Sequence, residues 1–196
     1  CRSSGELTLL KVAQAIKNRT PFLDLAGVSY KDTQGIVCDT PEIEDVTELD
    51  YYPSPYLNDI FDYSCMNEAI MLTSRGCPYH CIYCYTPHAF KHKITFHSID
   101  RVMEEIKRVI EKGVKRLWFA DPNISCKPNR LIEIFDRILT QGIEVKMWVQ
   151  TRVDLVTPEL MKMMKRAGVG VIAFGLESAS DRVLTKLGKK INTEQV

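Results

Sequence analysis

No apolar run in the 196-residue chain approaches the roughly 20 residues that a membrane span needs. Nor does any succession of basic, apolar and small residues mark a secretory signal. Excess charge is missing as well: 26 Lys and Arg stand against 25 Asp and Glu, a formal +1. That balance implies no general attraction to nucleic acid or to an anionic membrane. Low-complexity segments are absent. So is an even cysteine count, since the chain has seven and three of them crowd one loop. Such usage argues against a disulfide framework. It suits a reduced, cytoplasmic protein with a metal or redox site. What the chain does have is 45% hydrophobic residues, enough to bury a core in one or two domains. It opens at Cys1 rather than Met and stops in "KKINTEQV", where a new element begins, so a piece of a longer protein is expected.

Composition shifts once, near "DYYPSPYL", where Pro53 and Pro55 break regular structure. Before it, "LTLLKVAQAIKN" reads as a short amphipathic helix. "LAGVSYKDTQGIVCDT" reads as a hairpin with Gly35 at its turn, and "PEIEDVTELD" as an acidic linker. This first part, residues 1–66, is too small for a domain and reads as the tail of one plus a linker. Residues 67–196 are regular. Apolar runs at 69–73, 114–120, 144–149 and 169–176 alternate with helical patterns. Ser98, Thr157 and Ser180 are the expected N-caps, Pro128 and Pro158 open helices, and Gly113, Gly142, Gly168 and Gly188 close them. The fold class is α/β: strand–helix alternation predicts a parallel sheet with right-handed crossovers. The nearly continuous apolar strands predict that both sheet faces are covered. Four βα units do not close a barrel, and an open doubly wound sheet is the competing architecture.

In parallel α/β folds the chemistry gathers at the carboxyl ends of the strands. The first strand here leads into "TSRGCPYHCIYCYTPH", with Cys77, Cys81 and Cys84 spaced C-x3-C-x2-C. The second leads to Asp121, the third to Gln150, Thr151 and Arg152, and the fourth to Glu177 and Ser178. Soft thiolates select zinc, copper(I) or iron–sulfur clusters. A structural zinc wants four ligands, and His80 or His88 could supply the fourth. A closed four-cysteine cluster would need Cys126. A redox dithiol would use Cys81 and Cys84 and leave Cys77 unexplained. Three thiolates on a four-iron cluster would leave one iron open to a substrate.

"CPYHCIYC" resembles the C-x3-C-x-aromatic-C motif of the radical S-adenosylmethionine (SAM) enzymes, with Tyr83 as the aromatic. The likeness runs through the βα pattern to "FGLES". It implies a partial (β/α)6 TIM-like barrel, truncated after about four βα units. It also implies a 4Fe-4S cluster on Cys77, Cys81 and Cys84 whose open iron chelates SAM, and reductive cleavage to a 5′-deoxyadenosyl radical. Family roles then fall on matching positions. Tyr83 frames the adenine. Asp121 of "FADP", where the family usually has a "GGE"-like end, holds the SAM amine with backbone groups of Ala120. Glu177 and Ser178 meet the ribose or methionine, and Gln150 and Arg152 contact SAM or substrate. Residues 25–57 and "FADPNIS" are similar to the group that joins a cobalamin-binding domain to the barrel. That likeness implies cobalamin bound by an upstream domain, methyl transfer to an unactivated centre (or cyclisation or oxidoreduction), a small-molecule or peptide substrate, and an external electron donor such as flavodoxin or ferredoxin. The readings from other classes are a non-catalytic zinc module and an electron-transfer protein.

Plainer roles exist for most of these residues. Asp121-Pro122 is a common turn pair. Glu177 favours a helix N-terminus. Gln150 and Arg152 suit ordinary loops. His88, Lys91, His92 and Lys93 make a basic cluster that reads as a solvated loop. Met161, Met163 and Met164 read as packing, and Trp118 and Trp148 as core. Cys1, Cys38, Cys65 and Cys126 read as inert thiols.

Overall fold

The computed structural model describes residues 5–21, 25–42 and 47–196. The chain divides into two compact units, Cys1–Thr47 and Glu48–Val196. The first holds helix α1 (Gly5–Asn18) and an antiparallel hairpin of β1 (Ser29–Lys31) and β2 (Val37–Asp39). The expected turn is present, with Gly35 at φ 81°. The Asp32 carboxylate accepts from the Gln34 and Ile36 amides, both at 2.8 Å, and fixes it further. Cys1 and residues 43–46 of the acidic segment lie outside the described residues.

The second unit opens with segment 48–67, which is anchored to the sheet. Tyr56 is buried in the main core, and its hydroxyl donates to the Ile70 carbonyl at 2.6 Å. The sheet has four parallel strands: β3 (Glu68–Met71), β6 (Arg116–Phe119), β7 (Lys146–Thr151) and β8 (Val169–Phe174), side by side in that order. Sequential strands pair as neighbours because each is followed by a crossover helix: α3 (Ile99–Glu111), α4 (Pro128–Thr140), α5 (Pro158–Ala167). A short α6 (Asp181–Lys186) comes after β8.

The helix starts follow their capping chemistry. Ser98 and Thr157 accept from the Arg101 and Leu160 amides at 3.1 and 3.2 Å, and Gly168 closes α5 at φ 105°. Ser180 departs from expectation. It sits at the N-cap of α6 without a side-chain cap bond, and its own amide donates to the Ser178 hydroxyl at 3.2 Å.

The three crossover helices cover one face of the sheet. Ala69, Met71, Leu117, Phe119, Met147 and Val149 point into that core and meet Ile106, Ile134, Phe135 and Met164. The prediction that both faces are covered is corrected. The alternate residues face outward, with Ile70 51%, Trp118 38% and Val171 52% exposed. Period-two alternation therefore separates an apolar buried face from an apolar open one, and composition does not distinguish them. The tryptophans, read as core, lie on this open face, where Trp118 and half-buried Trp148 pair edge to face at 5.4 Å. Four strands with helices on one side form an arc of a barrel, not a closed one.

Three elements were not foreseen. β4 (Ser74–Gly76) and β5 (Ile94–Phe96) pair antiparallel and bring together the two ends of the cysteine loop, which carries the short helix α2 (Tyr85–Ala89). Gly76 shows why the pairing is possible. Its φ is +86°, and a Cβ there would lie 2.2 Å from the Lys93 carbonyl oxygen.

Candidate active site

Cys77, Cys81 and Cys84 leave β4 together and reach the rim at the carboxyl ends of the parallel strands. All three line one cavity of ≈ 320 Å³. Cys77 and Cys81 are buried, Cys84 is half-buried, and none forms a disulfide. Burial pushes the Cys77 thiol above its ordinary pKa, against the pull of a Tyr79 backbone bond and the Arg152 charge. Among the described residues no group of three or more His, Cys, Asp or Glu stands close enough to hold a single metal ion. A cubane has no such need, because its thiolate ligands bind separate irons. Three free thiols on one cavity wall therefore fit the donor set of a cluster.

Tyr83, Gln150, Arg152 and Glu177 line the same cavity. Glu177 sits at φ +65°, and its carboxylate meets Lys189 Nζ at 3.0 Å. The Lys189 bond holds the Glu177 carboxyl below its ordinary value. Burial, with Glu177 beside it, pushes the Tyr83 phenol up. Lys189 also reaches the Tyr83 hydroxyl at 3.1 Å, so the cysteine loop is tied to the β8–α6 unit. Gln150 donates to the Asp121 carbonyl at 2.9 Å and links two neighbouring strand ends.

Ala120, Asp121 and Ser178 are not among the cavity-lining residues. Ala120 continues the β3–β6 ladder, its amide donating to Met71. Asp121 is fully buried and turns back toward β3 and β4. It accepts from the Thr73 amide (3.1 Å), the Thr73 hydroxyl (2.9 Å) and the Ser74 hydroxyl (2.5 Å). Arg130 donates to the same Thr73 hydroxyl at 3.0 Å. Burial pushes the Asp121 carboxyl up, while these bonds draw it down. In this arrangement its carboxylate is fully engaged in bracing the start of the cysteine loop.

The Radical SAM superfamily profile matches residues 71–196. The chain belongs to the radical SAM superfamily. Along almost its whole length it is also similar to an uncharacterized methyltransferase of Pyrococcus horikoshii, 31% identical over an alignment of 199 positions that covers 99% of this chain and 43% of that relative. Its fold is similar to that of TsrM from Kitasatospora setae, a radical S-adenosylmethionine methyltransferase, with TM-score 0.79 and 16% identity over 99% of this chain and 41% of that one. It is likewise similar to OxsB, a cobalamin-dependent S-adenosylmethionine radical enzyme, with TM-score 0.78 and 24% identity over 98% of this chain and 30% of that one. At these identities the two likenesses establish the fold, a partial radical SAM TIM-like barrel. The chain spans less than half the length of each of these proteins.

Sequence reasoning on this radical SAM chain missed Tyr79, Asn123 and Lys189, which also line the cavity. Tyr79 lay inside the quoted motif but outside its pattern. Asn123 follows the rim pair Asp121-Pro122 closely enough to have been considered. Lys189, in a run of basic residues beyond the last helix, carried no signal. No helix among the described residues is long and apolar enough to cross a membrane.

Proposed function

We propose that this chain is part of a radical SAM enzyme that transfers a methyl group with the help of cobalamin. The observation that carries the reading is the convergence of Cys77, Cys81 and Cys84 on one cavity at the carboxyl rim of a parallel sheet. Those three thiolates would hold a 4Fe-4S cluster, and Cys126, close enough to Cys77 for their charges to interact, does not line the cavity, which suits an iron left for SAM. When bound, the cluster supplies the electron that cleaves SAM to a 5′-deoxyadenosyl radical. The chain's own residues do the rest. Tyr83 presents its ring at the cavity for the adenine, while Lys189 and Tyr83 hold Glu177 ionised and oriented to accept hydrogen bonds from SAM. Gln150 ties the rim together. Asp121 and Ala120 serve the cavity indirectly, by holding the cysteine loop and the strand end. Ser178 orders the entry to α6.

Residues 1–66 read as the end of a cobalamin-binding-type domain and its linker, and residues 67–196 as the first four βα units of the core. The resemblance of 25–57 to that group and the cobalamin-dependent neighbour OxsB support the cobalamin part. The methyltransferase names of the Pyrococcus relative and of TsrM support methyl transfer. The substrate is a small molecule or peptide, and a flavodoxin or ferredoxin supplies the electron. Anaerobic reconstitution with iron and sulfide tests the core of the proposal. A brown protein whose reduced EPR signal changes with SAM is the expected result, with 5′-deoxyadenosine released by the full-length protein. One tightly held zinc per chain with no iron would overturn it.

A further inference from the structure

Arg152 lies at the cavity wall and is held more completely than a ligand-seeking arginine needs to be. It is 6% exposed. Its Nε and Nη2 donate to the Asp154 carboxylate at 2.9 and 2.8 Å, and Nη2 donates also to the Lys189 carbonyl at 2.8 Å. The guanidinium stacks over the Tyr79 ring, 4.1 Å from its centroid. These contacts fix the plane, yet the buried Nη1 has no partner. A second buried donor shares this situation. Asn123 is 4% exposed, its Oδ1 accepts from the Thr151 hydroxyl at 2.9 Å, and its Nδ2 has no partner. Both residues line the cavity that holds the three cysteines. Unpaired buried donors are rare and costly, so two beside one cavity point to an acceptor that belongs there.

The charge is placed asymmetrically. Arg152 lines the cavity and Asp154 does not. The Asp154 side chain is also the more exposed of the pair, 19% against 7%. The ion pair is therefore a dipole with its positive end toward the thiols, and the buried end is the less screened.

We propose that Arg152, assisted by Asn123, is a positioning residue for the cluster: it sets the reduction potential by offsetting the negative charge of the thiolate-held cage. The inference rests on the cluster reading above and reassigns Arg152 from SAM to the cluster. One-electron reduction adds a negative charge and no proton, so a fixed cation stabilises the reduced form more than the oxidised one. The electron comes from dithionite in the test and from an external one-electron carrier otherwise.

The test is an EPR-monitored redox titration of the anaerobically reconstituted protein, with its charge variants. Arg152→Gln should make reduction about tenfold less favourable, a fall of ~59 mV for a one-electron couple. Asp154→Asn should shift the midpoint upward, because the guanidinium is no longer neutralised. The double variant Arg152→Gln/Asp154→Asn strands no charge, so it remains informative if the single Arg152 variant folds poorly, and its midpoint should also fall below wild type. Asn123→Asp, which keeps the Thr151 bond and removes the donor, should lower the midpoint. Exchangeable-proton ENDOR couplings of the reduced cluster should diminish in the Arg152 and Asn123 variants. Equal midpoints in cluster-bearing variants would overturn the inference, as would weaker SAM binding at an unchanged midpoint. A wild-type protein that holds no cluster would overturn the functional reading and this inference with it.

Discussion

Removing the Asp121 carboxylate separates two roles for the same residue. The family resemblance assigns it to the SAM amine, whereas the structure has it gripping Thr73 and Ser74 out of the cavity. Asp121→Ala deletes the acceptor of three buried hydrogen bonds. The two hydroxyls can rotate toward other acceptors, but the Thr73 amide cannot. Arg130, whose charge Asp121 helps to balance, is left partly buried without it. Breaking a buried charged network from one side costs about 3–5 kcal/mol. The isosteric Asp121→Asn keeps one acceptor oxygen and should cost about 1–3 kcal/mol. In urea, at a slope of about 2 kcal/mol per M, the Ala variant should unfold roughly 1.5–2.5 M earlier with the slope unchanged. Cluster loading should fall in parallel, because β4 delivers Cys77. The pH dependence adds a second signature. The folded carboxyl titrates above its ordinary 3.8. Its contribution to stability is therefore greatest below that value and declines as pH rises through the folded pKa. Asp121→Asn should lack this decline. If Asp121→Ala unfolds with wild-type urea and pH dependence and loses only SAM affinity, the brace is refuted and the ligand role stands.

Other perturbations are sharp enough to check. Cys81→Ala should abolish iron retention after reconstitution, whereas Cys38→Ala, in the first unit, should leave it unchanged; equal iron in both would refute the ligand assignment. Gly76→Ala forces a side chain into left-handed backbone and against the Lys93 carbonyl, so it should cost more than about 1 kcal/mol in urea titration. Gly113→Ala, at φ +94° with open space around it, should be the milder of the two. Glu177 has a carboxyl held below its ordinary 4.5, chiefly by Lys189. Its contribution is present above 4.5 and lost as pH falls through the folded value, so Glu177→Gln should flatten the acid limb of stability. Phe135→Ala empties a fully buried position under the sheet and should cost about 3–5 kcal/mol by the same titration.

Sequence alone determined the βα alternation, most helix ends and the cysteine motif, because those depend on local properties. A glycine after a helix, a Ser or Thr before it and a three-residue gap between thiols act within a few residues of themselves. Only the tertiary structure decided which apolar face of the strands is covered, since both faces read alike and the helices pack on one. That choice put Trp118 and Trp148 on the open face. It decided, too, that Asp121 turns away from the cavity, because its partners Thr73 and Ser74 lie 48 and 47 residues earlier. Lys189 could not be placed from its neighbours, for it acts on Tyr83, 106 residues away. The motif carries the thiols, and long-range packing selects the charges that surround them.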